Sequence, residues 1–192
     1  MIPGAIILVD SKGFLPDQIR LHMAIEARRT GRKPVRWNHT ETTVPYNDKL
    51  FGVGYRKTKP NRIPYDGELM SMGARGGGAA MTPLDEYLAA HPKHLIKPPI
   101  VPLTPEEIKR LEAYAEDVCF KNPRKYQKGM FLAWIARLKL GTNWGEKGDK
   151  RVYCYELVAH CADLLKRWPW PIEKKLISIY DIIENKNYTV SN

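Results

Sequence analysis

The chain has 192 residues, of which 43% are hydrophobic and 27% charged, so we predict a single domain over residues 1–192 and exclude wholesale disorder. Thirty-one Lys and Arg against 21 Asp and Glu give a net charge of +10, which favours anionic partners such as nucleic acid, lipid headgroups or a wall polymer. The longest apolar runs fall well short of the roughly 18 residues of a membrane-spanning helix, so no transmembrane segment is expected.

The first half of the chain predicts strands with one early helix. The apolar run at residues 4–9 indicates a buried strand, and the spacing of Ile19, Met23 and Ala27 indicates a helix over residues 16–29. Branched and aromatic residues predict further strands at residues 35–44, 50–56 and 68–72. The glycine run at residues 76–78 lacks the remaining residues of a phosphate loop and predicts a sharp bend.

The second half predicts mainly helices. Thr82 is expected to cap a short helix at residues 82–88, and the proline-rich residues 92–102 are expected to be extended. Thr104 and the proline and two acids that follow it predict a helix to about residue 119. Further helices are expected at residues 126–140, 152–167 and within 172–183. The segregation of strands and helices predicts an α+β fold with an antiparallel sheet packed against helices.

Three cysteines are present, at Cys119, Cys154 and Cys161. An odd number without an export signal argues against a disulfide framework, and the chain has neither a CxxC nor an HExxH spacing. We therefore expect a reduced, cytoplasmic protein with no metal ion and no organic cofactor. One of its thiols is then a candidate nucleophile.

Cys154 is the best candidate because it falls near the start of a predicted helix, where the helix dipole favours a thiolate. The competing interpretation is a small core residue, which fits Cys161 two turns later. A cysteine nucleophile needs a base, and His39 shares one strand face with Trp37 and Glu41. The competing interpretation of His39 is a half-buried sheet histidine.

The order of these motifs resembles the circularly permuted papain-like hydrolases, which include permuted NlpC-like amidases and relatives of lecithin:retinol acyltransferase. In that group the histidine strand precedes a cysteine helix that begins with a Tyr-Cys-Ser-Glu-Leu-Val segment, and residues 153–158 (YCYELV) are similar to it. Residues 69–73, the glycine run and residues 82–88 resemble the family's strand, glycine turn and following segment. The resemblance covers about residues 1–167 and leaves 168–192 as a C-terminal extension. Tyr155 departs from the usual small residue and is expected to narrow the pocket.

The resemblance implies a cysteine hydrolase or acyltransferase, similar to a thiol protease or amidase, that cleaves an amide or ester in a peptide, peptidoglycan or lipid. Cys154 would form a thioacyl intermediate and His39 would act as base. A third polar residue would orient the imidazole: Glu41 is the first choice, and Ser71 and Glu68 are alternatives.

Two other functions fit the sequence. A protein with this fold could be catalytically silent and serve as a structural or interaction protein. A basic nucleic-acid-binding module would be supported by the net charge and by three tryptophans that look exposed, Trp144, Trp168 and Trp170, which could stack on bases.

Overall fold

The computed structural model describes residues 2–12, 14–58, 60–126, 151–169 and 177–189. The strands are β1 (Ile6–Val9), β2 (His39–Pro45), β3 (Leu69–Arg75), β4 (Gly78–Pro83), β5 (His94–Lys97), β6 (Lys125–Tyr126) and β7 (Arg151–Val152). The helices are α1 (Phe14–Thr30), α2 (Asp48–Lys57), α3 (Leu84–Ala90), α4 (Pro105–Glu116), α5 (Cys154–Leu164) and α6 (Ile179–Glu184). A π-helix, Asp117–Lys121, continues α4.

Five of the described strands form one antiparallel sheet in the order β4-β3-β2-β1-β5. All four residues of β1 are buried, which explains why its sequence is continuously apolar rather than alternating. The proline-rich segment after α3 supplies the edge strand β5, which pairs with β1. The predicted α+β class with an antiparallel sheet packed against helices is confirmed.

Helix α5 is the central element of the hydrophobic core. Its residues are buried around most of its circumference, as in a helix enclosed by other elements. Val158 belongs to a cluster with β1, α1 and α6, whereas Leu157 belongs to a second cluster with β2, β3, α2 and α4. Packing on both sides therefore fixes the position of the first residue of α5, Cys154. The proposed core boundary at residue 167 stays a prediction, although α6 adds Ile179 to the first cluster.

Two predicted local structures are wrong. Residues 50–56 form most of helix α2 rather than a strand, because Phe51 and Tyr55, four residues apart, are both buried on one helical face. Thr82 does not cap α3: the N-cap residue is Pro83, and the Thr82 hydroxyl instead accepts a hydrogen bond from Arg75 Nη1 at 2.6 Å.

Other predictions are confirmed or fall outside the described residues. The Thr104 hydroxyl accepts a hydrogen bond from the Glu107 amide, and the Glu107 carboxylate accepts one from the Thr104 amide, which forms the predicted start of α4. The helix expected at residues 126–140 lies outside the described range, apart from residue 126. Within the described ranges, no helix has both the length and the apolar character needed to cross a bilayer.

The described part of the chain also bears on the nucleic-acid alternative. Trp168 is only 9% exposed and belongs to the first core cluster, so the expectation of an exposed stacking residue is wrong at this position. It is buried because it packs in the same apolar cluster as residues of α5 and α6. Trp144 and Trp170 lie outside the described residues.

Candidate active site

Cys154 is the first residue of α5, which begins one residue after strand β7. The chain enters the helix through Tyr153, whose extended backbone donates an N–H to the Glu156 carboxylate at 3.4 Å. The Cys154 amide lies in the first helical turn, where no carbonyl one turn earlier is available as an acceptor within the helix. The thiol is only 1% exposed and therefore lies in the protein interior at the positive end of the helix dipole.

His39 is the first residue of β2, and its side chain is 16% exposed. Its Nε2 lies 3.0 Å from Glu41 Oε1, since residues two apart on a strand share a face. The Cys154 side chain lies near enough to the ring to raise the pKa of His39. Because Nε2 is directed at Glu41, Nδ1 is the nitrogen available to the thiol. The structure thus brings Cys154, His39 and Glu41 together in one row, in which His39 contacts Glu41 directly and Cys154 acts on the ring electrostatically.

The Glu41 carboxylate is fully buried and accepts several hydrogen bonds. Arg75 donates from Nε to Oε1 and from Nη2 to Oε2, each at 2.7 Å. Ser71 donates its hydroxyl to Oε2. Such a carboxylate acts only as an acceptor and holds the His39 ring in a fixed orientation.

Space for the Glu41 side chain comes from a glycine on the neighbouring strand. Thr42 pairs with Met72, so one further step along the antiparallel ladder places Glu41 opposite Gly73. A Cβ at residue 73 would lie 2.5 Å from Glu41 Cγ and Cδ. The missing side chain at Gly73 therefore allows the carboxylate to lie between β2 and β3.

The neighbouring charges of the site shift the pKa values of Glu41 and His39 in opposite directions. Burial by itself would raise the pKa of Glu41, but the charge of Arg75 and the hydrogen bonds from His39 and Arg75 outweigh it and lower the pKa to about 2. Burial would lower the pKa of His39, but the charge and hydrogen bond of Cys154, followed by those of Glu41, raise it to about 10. The lowered pKa favours an ionised Glu41 and the raised pKa favours a protonated His39. An imidazolium beside a thiol is the environment that favours a thiolate.

A cleft of about 500 Å³ leads to this row of residues. Its described lining includes His39, Arg75, Tyr87, His91 and Tyr126. Among the described lining residues Cys154 is absent, so the cleft reaches the site on the side of the imidazole.

Two of the other residues considered in the sequence lie away from His39. Ser71 contacts Glu41 and so supports the carboxylate rather than the imidazole. Glu68 lies five residues before Gly73, about 17 Å along the strand, and its carboxylate accepts hydrogen bonds from Arg62 Nη1 at 2.8 Å and from the Tyr65 amide. The structure therefore does not bring Glu68 to the site.

Tyr155 was expected to narrow the pocket, but its side chain lies in the core instead. Its side chain is buried in the first core cluster, and its hydroxyl lies 3.8 Å from Met23 Sδ on α1. It points into the core because successive residues of a helix face different directions, so the neighbour of Cys154 does not share its face.

Arg75, Gly73 and Tyr87 are site residues that the sequence reasoning missed. Ser71, Gly73 and Arg75 alternate along β3, and this period-two pattern on the strand next to β2 is the signal that could have found two of them. Tyr87 comes from α3, and only the tertiary fold brings it to the Arg75 guanidinium, whose carbon lies 4.9 Å from the tyrosine ring centre.

No family model matches the chain, and no curated protein matches it. Among solved structures, the fold is similar to that of the metalloprotein yiiX from Escherichia coli O157:H7, a DUF1105 protein. The TM-score is 0.52 and the sequence identity 15%, over 100% of this chain and 96% of that chain. At this identity the similarity shows the fold alone. Within the described ranges, no three His, Cys, Asp or Glu side chains come together as a set that could hold a metal ion.

Proposed function

We propose that the chain is a cysteine hydrolase or acyltransferase with a circularly permuted papain-like fold. Cys154 is the nucleophile, His39 the general acid and base, and Glu41 the residue that orients the imidazole. The observation that carries this proposal is the row of Cys154, His39 and Glu41, in which His39 Nε2 lies 3.0 Å from Glu41 Oε1 and Cys154 raises the pKa of the ring. The histidine precedes the cysteine in the chain, which is the order of a permuted papain-like domain.

The reaction begins with a thiolate and an imidazolium. The Cys154 sulfur attacks the carbonyl carbon of an amide or ester, and the carbonyl oxygen becomes an oxyanion. The backbone N–H of Cys154, at the start of α5, is a donor suited to that oxyanion. His39 then gives its proton to the leaving amine or alcohol as the bond to carbon breaks, which leaves a thioester on Cys154.

The second half of the reaction releases the acyl group. Neutral His39 takes a proton from water, or from an acceptor alcohol or amine, as that group attacks the thioester carbonyl. The bond between carbon and sulfur breaks and restores the thiolate beside the imidazolium. Water gives hydrolysis, and another acceptor gives acyl transfer.

Glu41 supports both halves without exchanging a proton itself. Its low pKa keeps it ionised throughout, so it accepts the His39 N–H in every step and stabilises the imidazolium. The substrate class that fits this chemistry is an amide or ester of a peptide, peptidoglycan or lipid that enters the cleft beside His39 and Tyr126. The described residues supply nucleophile, base and oxyanion donor, so the proposal assigns no step to a metal ion.

Variants of the two reacting residues test the proposal. Cys154→Ala and His39→Ala are each expected to abolish turnover on a panel of amide and ester substrates, and the double variant should be no worse than either single one. The melting temperature should move little in each case. Cys161→Ala is the matched control, because Cys161 is a buried thiol on the same helix that belongs to the core and should leave turnover intact.

Full activity in Cys154→Ala would overturn the proposal. A wild-type protein that is inactive on every substrate of the panel would instead favour the catalytically silent alternative. A comparable loss of turnover in Cys161→Ala would show that the assay reports stability rather than chemistry.

A further inference from the structure

Arg75 makes several contacts within the candidate site, whereas an arginine that only added to the surface charge would need none of them. Its Nε and Nη2 form a fork on the two oxygens of Glu41, and its Nη1 donates to the Thr82 hydroxyl. The guanidinium also lies over the Tyr87 ring, and the side chain is 30% exposed toward the cleft. Partners on strands β2 and β4 and on helix α3 therefore all contact this one cation of β3.

We propose that Arg75 is a positioning residue that acts through Glu41: it holds the carboxylate against His39 and balances the charge of the site, so that the Cys154 thiolate can form. This inference rests on the proposed function, since it assigns a role within the same site. Arg75 thus joins Cys154, His39 and Glu41 as a fourth charged group of the site. Its positive charge offsets the cost of burying the Glu41 carboxylate.

The charge balance follows from the groups that face the row. With the thiolate formed, Cys154 and Glu41 each carry a negative charge, and His39 and Arg75 each carry a positive one, so the four charges cancel. Among the described residues, five other titratable groups act on the row: Tyr87 of α3, Cys119 of the π-helix, Tyr126 of β6, and Tyr153 and Tyr155 beside Cys154. Burial raises the pKa of all five, which favours their neutral forms. Glu86 and His91 line the cleft beside them.

Removing Arg75 and removing Glu41 should therefore have opposite effects on the pH at which the Cys154 thiolate forms. Without the Arg75 cation, one negative charge is uncompensated in a buried site, and loss of the Cys154 proton becomes less favourable. Without the Glu41 charge, one positive charge is in excess, and loss of that proton becomes more favourable. A purely structural arginine would lower the stability of the fold without either shift.

The ultraviolet absorbance of the thiolate, titrated with pH, measures this directly. Each protein is compared with the same protein carrying Cys154→Ser, so that the difference reports Cys154 and not the other thiols or tyrosines. In Arg75→Met the midpoint of the difference titration should rise by about one pH unit, and in Glu41→Gln it should fall by about one pH unit. The double variant should return close to the wild-type midpoint.

Arg62→Met is the matched control. Arg62 is 37% exposed and also holds carboxylates, those of Glu68, Asp85 and Glu86, but none of its described contacts is with Glu41. Its removal should lower the melting temperature and leave the midpoint unchanged. If Arg75→Met does not fold, the double variant, which lacks the uncompensated carboxylate, is compared with Glu41→Gln alone and should have the higher midpoint.

The outcomes separate the two proposals. A wild-type protein whose Cys154 thiolate forms only at the pH of an ordinary thiol contradicts the proposed function. A wild-type thiolate present at neutral pH, together with an unchanged midpoint in Arg75→Met or a double variant equal to Glu41→Gln, overturns the role of Arg75 alone.

Discussion

Replacing Gly73 by alanine tests how the fold makes room for the buried Glu41 carboxylate. The new Cβ would lie 2.5 Å from Glu41 Cγ and Cδ and 2.6 Å from Oε1, well inside van der Waals contact. Glu41 cannot simply swing away, because Arg75 and Ser71 hold both of its oxygens. Either the strands move apart or the carboxylate leaves the His39 ring.

The size of the effect follows from overpacking of a buried site. A methyl group forced into a well-packed interior costs about 1–3 kcal/mol. For a chain of this length each kcal/mol lowers the melting temperature by about 2–4 °C. Displacement of Glu41 should also lower turnover, because the His39 base that it orients then loses its alignment while the fold persists.

Urea and thermal unfolding of four variants provide the assay. Gly77→Ala is the matched control, because no atom lies within 4 Å of a Cβ there. Glu41→Ala removes the clashing side chain, so adding Gly73→Ala to that variant should cost little further stability. Equal stability of Gly73→Ala and Gly77→Ala would refute the reasoning, as would an undiminished cost of Gly73→Ala in the Glu41→Ala protein.

Three other predictions concern groups outside the reacting row. Burial lowers the pKa of His22 from 6.5 to about 4, so the folded protein favours the neutral imidazole. The free energy of unfolding should therefore fall as the pH drops from 6.5 to 4. Urea titrations at several pH values should show that His22→Gln removes this part of the pH dependence. Lys97 is buried and donates to the last carbonyls of α6, so Lys97→Ala should cost about 1–3 kcal/mol in thermal melts, whereas the exposed Lys93→Ala should cost almost nothing. Thr104→Ala removes the cap of α4 and should cost about 1 kcal/mol, which Thr104→Ser should restore.

Local sequence patterns predicted the elements that local chemistry controls. The apolar run at β1 and the cap at Thr104 needed no knowledge of distant residues. His39 and Glu41 were paired from the period of two along a strand, and the structure places them 3.0 Å apart.

Contacts between distant segments could not be predicted in the same way. The composition of residues 50–56 favours a strand, but the segment is helical. Phe51 and Tyr55, four residues apart, lie on one helical face and pack together in the second core cluster. Arg75 reaches Glu41 only through the register of β2 against β3, which a single sequence does not specify. Glu68 was a reasonable alternative in the sequence, yet the same register carries it to the far end of the strand.

Competitive labelling of the three cysteines tests the central claim most directly. Native protein is treated with iodoacetamide near pH 6.5, about two units below the usual thiol pKa, and the modified peptides are quantified by mass. Cys119 is the more exposed thiol, but burial raises its pKa to about 12, whereas Cys154 is buried beside an imidazole whose own pKa is raised. The account predicts that Cys154 is modified first and that His39→Ala abolishes this preference. Modification of Cys119 at the same rate as Cys154, or a Cys154 rate that does not change in His39→Ala, would contradict it.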